Sequence, residues 1–267
     1  MYKNLFSDNA KDGVTFLTSE NIRARHAFTT RLGGASEGHL ASLNLGENRG
    51  DTPENVLENY RRLSAATGID TDRMVYTNQI HEATILTARR ENAQGHFEPT
   101  PYKCDGIVTS ESALTISCFT ADCVPVLLCD ERAGVIGAAH CGWRGSVSDI
   151  LKNAVSAMCA LGAAPEDINV AIGPAIGFCC FEVGAEVVRV CEAYIGAAAC
   201  AKLVQAKGGG KFRLDLKAAN AERLLQLGLL AEHISISPDC TMCSHEKYFS
   251  HRHTEGQRGS QGAFITL

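Results

Sequence analysis

"VIGAAHCGWRGSVSDILKNAV" (residues 135–155) holds a strand pattern, a helix pattern and reactive side chains between them. The run 135–139 is small and apolar without polar alternation, as in a strand buried on both faces. Ser146 and Asp149 then open a stretch with helical spacing that runs to a stop at Gly162. Between the two stand His140, Cys141, the chain's only tryptophan (Trp143) and Arg144 flanked by glycines. A buried strand has no structural need for that set at its end. His140 therefore reads three ways: a core histidine, half of a Cys-His hydrolase, or a metal ligand.

Outward from this stretch, short strand-like runs recur: "VTFLT", "HAFTT", "ATILTA", "GIVTS", "LTISC", "VPVLLC", "INVAIG", "HISIS" and "AFITL". Helical patterns lie among them at 52–68, 146–162, 184–198 and 215–229. The first has Thr52 as its N-cap, Pro53 in the first turn and Gly68 as its stop. This irregular order predicts an α+β or mixed α/β architecture, without strict βα alternation. Glycine-rich loops at 31–39 and 207–211 and a polar connection at 92–103 are too short to be domain linkers. One domain spanning 1–267 is expected.

The 267 residues are 45% hydrophobic and 21% charged, with net charge -5 and a pI near 6.0. That balance gives no argument for nucleic acid or an anionic membrane as partner. No apolar run approaches the roughly 18 residues of a membrane span. The first residues lack the pattern of a secretory signal, so a cytoplasmic location is expected. The 12 cysteines should then be reduced, and those in apolar runs, such as Cys118 and Cys129, are small core residues. Phosphate-loop, dinucleotide and nucleophile-elbow signatures are absent.

Three polar islands interrupt the strand-like sequence. The first is "YTNQIHEATI", with Asn78, Gln79, His81 and Glu82; the second is "CFTADCVPVLLCD", with Thr120, Asp122 and Cys123; the third carries His140 and Arg144. His81, Cys123 and His140 make a His-Cys-His set. Imidazole and thiolate are zinc ligands, and three of them leave a tetrahedral position open for catalysis. No two lie at a short fixed spacing, so the residues by themselves are equally compatible with structural roles.

Elsewhere, "CTMCSHEKYFSHRH" offers Cys240, Cys243, His245, His251 and His253 as a zinc knuckle. A chain of this size does not need such a staple, and the stretch also reads as a strand presenting Arg252 or a histidine. "IGPAIGFCCFEVG" (172–184) reads either as a backbone loop approaching a ligand or as a tight turn, with the adjacent Cys179 and Cys180 both reduced. In "TTRLGGASEGHLASLNLGENRGD" (29–51), Arg31 and nearby amides suit phosphate, with Ser42 and Asn44 close by. A solvated surface loop is the alternative.

The segments "TTRLGGASEG", "SLNLG", "NQIHEA", "CDGIVTS", "TADCVPVLLCD", "AAHCGWRG", "IGPAIGFCCFEV", "RLDLKAAN" and "YFSHR", in this order from about Ala27 onward, resemble the laccase-domain or polyphenol-oxidase-like family. That family is also known as peptidoglycan editing factor. The resemblance implies layered sheets packed between helices, similar to the toxin-like putative cysteine hydrolase fold. It implies one metal held by His81, Cys123 and His140, and an enzyme of the purine nucleoside phosphorylase type. Substrates would be adenosine, inosine, guanosine or methylthioadenosine with phosphate, with adenosine deamination in some members. The ligand set suits zinc better than copper, because copper oxidase sites need many more histidines and a Cys-His-Met set.

On this basis Arg31 and backbone amides would hold the phosphate that attacks C1′, and water activated by the metal would attack C6 in deamination. Asp122 would orient a ligand or move a proton, and Arg144 would neutralise an anion. Three residues depart from the family pattern. Glu82 stands where glycine is usual, Cys141 where alanine is common, and Ser260 where arginine is expected, with Arg258 nearby. The rival readings are an amide hydrolase of peptidoglycan precursors with Cys123 as nucleophile and His140 or His81 as base, and a cell-wall-associated factor without turnover.

Overall fold

Two strands with no polar alternation form the centre of the molecule: β7 (Val124–Asp130) and β8 (Val135–Cys141), buried along their whole length and paired antiparallel. The computed structural model describes residues 3–267. β7 and β8 sit inside a six-stranded sheet of order β13-β9-β7-β8-β5-β4. Its other strands are β4 (Ile85–Thr87), β5 (Gly106–Thr109), β9 (Asn169–Ile172) and β13 (Ile234–Ile236). A five-stranded sheet of order β1-β2-β3-β14-β6 is built from β1 (Phe6–Lys11), β2 (Val14–Ser19), β3 (Arg25–Thr29), β6 (Ile116–Thr120) and β14 (Gln261–Thr266).

The period-2 alternation of strands explains the layering. Val126 and Leu128 of β7 join a core shared with α3 (Ile150–Ala160), α4 (Ala185–Ile195) and α6 (Leu216–Gln226). Leu127 and Cys129, on the opposite face, join a core with Phe28, Ile116 and Ile265 of the five-stranded sheet. Ala27 and Phe264, on that sheet's outer face, pack on Val56, Tyr60 and Leu63 of α1 (Pro53–Thr67). The order is helices, sheet, sheet, helix, as the resemblance implied. Each inner strand needs apolar side chains on both faces, hence the unbroken runs in the sequence.

α1 is capped as its sequence predicts: the Thr52 hydroxyl accepts the Asn55 N–H, and Gly68 takes a left-handed φ of 71°. Such a cap contributes about 1 kcal/mol. Other boundaries differ from expectation. The helix expected over 146–162 begins earlier as α2 (Trp143–Val147), breaks where Asp149 adopts φ 68°, and resumes as α3. The 184–198 pattern divides at Gly196 into α4 and α5 (Ala197–Leu203). The 207–211 glycine loop is the turn of a hairpin between β11 (Val204–Gly208) and β12 (Lys211–Leu214). With β10 (Glu182–Gly184) these strands make a third sheet. Among the described residues, no helix is long and apolar enough to cross a membrane.

Candidate functional site

Strand direction gathers the polar islands at one end of the six-stranded sheet. β7 runs antiparallel to β8, so its first residues face the last residues of β8, with Pro125 opposite His140. β5 is also antiparallel to β8 and places Gly106 opposite Ala139, while β4 runs parallel to β5. The residues just before β7 (Cys123), β5 (Asp105) and β4 (His81) therefore converge on His140. The nitrogen and sulfur ligand atoms of His81, Cys123 and His140 lie within 4.8 Å of one another. Cys141, the next residue on β8, points into the helix-side core and is fully buried.

Asp105 organises this cluster. Its carboxylate accepts the backbone N–H groups of Ile80 (3.0 Å), His81 (3.0 Å) and Glu82 (2.9 Å), which fixes the turn where His81 takes φ 61°. The same carboxylate lies 2.8 Å from His140 Nδ1, leaving Nε2 to face the centre. A carboxylate behind a ligating imidazole fixes its tautomer and raises its basicity. Burial of Asp105 opposes ionisation, but its bonds to His140 and these N–H groups hold the carboxyl below its usual range. Burial also opposes protonation of His140, yet its neighbours Cys123 and Asp105 outweigh it and raise the imidazole to about 9. His81 moves the other way: burial and neighbouring His140 lower it.

Space for an ion exists at the centre. A Cβ on Gly142 would stand 3.0 Å from His81 Nδ1, 3.3 Å from Cys123 Sγ and 3.6 Å from His140 Cε1. The glycine keeps side-chain atoms out of the point on which the three donors converge. Two imidazoles and a thiolate with an open side fit one tetrahedral ion of the zinc class.

The cluster forms one wall of a cleft of about 600 Å³ lined by the loops at 45–49, 76–79 and 97–100 and by the end of β6. Tyr76, Phe97 and Phe119 give it aromatic walls, and Thr120 lines it at the end of β6. Two guanidiniums complete it. Arg258 Nη1 donates to Ser260 Oγ at 2.8 Å and Arg49 Nε to the same oxygen at 3.3 Å. Arg258 Nε is buried without a partner among the described residues. Burial, then the charge of Arg49, depresses the Arg258 guanidinium to about 10. An anion between the two arginines would relieve that cost.

Several expected residues lie elsewhere. Arg31 does not line the cleft: Nε donates to the Ala41 carbonyl (2.6 Å), Nη1 to the His245 carbonyl (3.0 Å), and the guanidinium lies 4.6 Å from the Phe249 ring centre. Loop carbonyls consume its donors. The Ser42 hydroxyl donates to the Arg31 carbonyl at 2.8 Å and accepts the Gly34 N–H, holding the same loop. Asn44 is fully buried, and its Oδ1 accepts from the N–H groups of Gly46 and Ser260, so it shapes the cleft from behind. Asp122 accepts the Thr241 hydroxyl and the Arg252 N–H, both at 2.6 Å, so its carboxylate is spent on the C-terminal segment. Asp105, not Asp122, is the carboxylate that contacts His140.

Arg144 is exposed beside Trp143, 4.5 Å from its ring, in a second groove on the far side of His81. Cys240 and Cys243 meet Cys179 and Cys180, not histidines, while His245 and His253 stack on each other. The sequence reading missed Asp105, Arg49 and the weight of Arg258. The available signals were an ionisable residue in "CDG" opening an apolar strand, and arginines beside Gly-rich turns.

Comparison with known proteins agrees with this architecture. Residues 25–267 match the family described as multi-copper polyphenol oxidoreductase laccase. The chain is 38% identical to a purine nucleoside phosphorylase of Deinococcus radiodurans over 255 residues, 96% of this chain and 94% of that one. It is 35% identical over 240 residues to adenosine deaminase RL5 from an unknown prokaryotic organism, covering 88% and 90% of the two chains. The crystal structure of YlmD from Geobacillus stearothermophilus superposes with a TM-score of 0.91 at 33% identity, over 99% of each chain. By its sequence match and its architecture, the chain belongs to the multi-copper polyphenol oxidoreductase laccase family.

Proposed function

We propose that the protein is a zinc-dependent purine nucleoside phosphorylase that splits adenosine, inosine, guanosine or methylthioadenosine with phosphate. The observation that carries this reading is the pairing, in one cleft, of the His81–Cys123–His140 cluster with Arg49 and Arg258 about Ser260. The two guanidiniums bind phosphate and aim an oxygen at C1′ of the ribose. The C1′–O bond forms as the C1′–N bond to the purine breaks, and the base takes up the proton that the attacking hydrogen phosphate gives up. Phe97, Phe119 and Tyr76 supply flat apolar surface for the purine. A zinc ion on His81, Cys123 and His140 would supply Lewis-acid polarisation of a ligand oxygen. Similarity to an adenosine deaminase supports hydrolytic loss of the 6-amino group as a side activity.

The donor set supports zinc over the copper of the family's description, because two imidazoles and one thiolate fall short of a copper oxidase centre. All 12 cysteines are free, which supports the cytoplasm as the working compartment.

One observation favours a second reading. The row Cys123–His140–Asp105, with the thiol hydrogen-bonded to the imidazole and the imidazole to the carboxylate, has the order of a thiol hydrolase triad. A nucleoside panel with and without phosphate, resolved by chromatography, decides between them. Phosphate-dependent release of free base that is lost on chelation supports the phosphorylase. No base release, with amide cleavage blocked by alkylating metal-free Cys123, overturns it.

A further inference from the structure

We propose that Cys179, Cys180, Cys240 and Cys243 form a second, structural metal centre that holds one zinc-class divalent ion on four thiolates. Their four Sγ atoms lie within 4.8 Å of one another, and Cys243 Sγ is 3.4 Å from that of Cys179 and 3.3 Å from that of Cys180. These separations are far longer than the roughly 2.05 Å of a disulfide. The two closest pairs lie slightly inside the edge of a ZnS4 tetrahedron, ~3.8 Å for zinc–sulfur bonds of about 2.3 Å, and the 4.8 Å limit on all four leaves room for it. Tetrahedral four-sulfur sets select zinc or iron–sulfur groups, and one compact cluster suits a single ion.

The surroundings are those of a thiolate site. The Gly177 N–H donates to Cys240 Sγ at 3.1 Å, and the Cys243 N–H bonds the same sulfur across the Cys-x-x-Cys turn. A Cβ on Gly177 would come within 3.0 Å of the Cys240 Cβ and 3.2 Å of Cys179 Sγ, so glycine opens the space. Four thiolates and a divalent ion carry net negative charge. The buried Lys217 lies close enough to Cys240 and Cys179 to offset it, with its Nζ held by the Ser237 and Asp239 carbonyls.

The ligands come from two segments that also meet through an isolated bridge between Ala175 and Cys240 and a bond from Arg252 Nη1 to the Glu182 carbonyl. An ion there staples the turn after β9 to the segment whose Thr241 and Arg252 hold Asp122, the neighbour of Cys123. The second centre thus braces the first. It contributes no open coordination position, so its role is structural.

Metal counting on the full chain, purified with reductant, tests this. Wild-type protein should hold about two zinc ions and Cys123→Ala, with the cleft site emptied, about one. X-ray absorption of the latter should fit four sulfurs at about 2.3 Å. Cobalt in its place should give thiolate-to-metal charge-transfer bands that Cys243→Ser weakens by about a quarter or more. If Cys123→Ala does not fold, His81→Ala empties the same cleft and serves instead. A cleft variant that retains no zinc after zinc addition and dialysis, a spectrum fitted by nitrogen or oxygen ligands, or a disulfide mapped within the four cysteines of reduced protein overturns the proposal.

Discussion

Asp105 and His140 meet twice: the His140 N–H donates to the Asp105 carbonyl at 2.7 Å, and the His140 ring nitrogen Nδ1 lies 2.8 Å from the Asp105 carboxylate. Backbone and side chain are thus registered by one neighbour, which also holds the His81 turn. Asp105→Asn keeps the volume but places an amide against three N–H donors. It should weaken zinc binding at the cleft about 10- to 100-fold, the usual effect of losing such a partner. Competition with a chelator of known affinity measures this. Unchanged affinity would show that the imidazoles hold their orientation unaided.

Gly142→Ala tests the space at the centre without replacing a ligand. The new methyl would press on His81 Nδ1 and Cys123 Sγ at 3.0 and 3.3 Å. Gly142 has φ -64°, so alanine meets no backbone penalty. The variant should fold, keep a thermal midpoint close to wild type in the presence of chelator, and lose zinc affinity. A midpoint drop equal with and without chelator would assign the glycine to packing alone.

Arg258→Gln and Arg49→Gln should each raise KM for phosphate while leaving nucleoside binding nearly intact. Losing one charged hydrogen bond costs about 1.5–3 kcal/mol, or about ten- to a hundredfold. Both arginines share the Ser260 hydroxyl, so the double variant should lose less than the product of the two. Steady-state kinetics at saturating nucleoside measures it. Arg31→Gln is the contrast: it should lower stability and leave KM for phosphate alone.

Acid stability should depend on Asp51. Burial disfavours its charge, but hydrogen bonds from Ser36, Asn44, Asn55 and the Thr52 N–H hold its carboxyl below the ordinary 3.8. A folded-state value below the unfolded one adds stability above the unfolded pKa, lost as pH falls through the folded one. Asp51→Asn should therefore be less stable than wild type at neutral pH, with the gap closing below about pH 4. Denaturation midpoints across that range measure it, and a gap independent of pH would exclude the ionised carboxylate as its source.

The sequence disclosed most of this fold because the fold is built from unambiguous pieces. Inner strands such as β7 and β8 have continuous apolar runs, and α1 carries its own cap and stop. It disclosed less where geometry arises from pairing. β10, β11 and β12 are only three to five residues long, and β11 is mostly exposed, so no apolar pattern marked them. The 143–160 helix breaks at Asp149, whose carboxylate pairs with Arg223 at 2.7 Å, a partner distant in sequence. The same holds at the site. His81, Cys123 and His140 were legible as donor types at strand ends, whereas Arg49 and Arg258 are joined only by Ser260. The glycine-rich context of Arg31 suits an anion loop as well as the self-binding loop in which Nε and Nη1 donate to carbonyls. Cys179–Cys180 looked inert alone and Cys240–Cys243 was read with histidines, because the contact between the two pairs comes from tertiary links such as the Ala175–Cys240 bridge.

The five-stranded sheet carries a consequence for biosynthesis. β14 lies between β3 and β6, pairing Ala263 with both Phe28 and Cys118. On a growing chain, β3 and β6 therefore each present an open edge until residues 261–266 have been made. Such edges invite pairing with other nascent chains. The residues that close them follow directly on Arg258 and Ser260. Closure of the sheet and the Arg258 side chain proposed to hold phosphate are thus encoded by the same few codons, and a chain that stalls before them has neither.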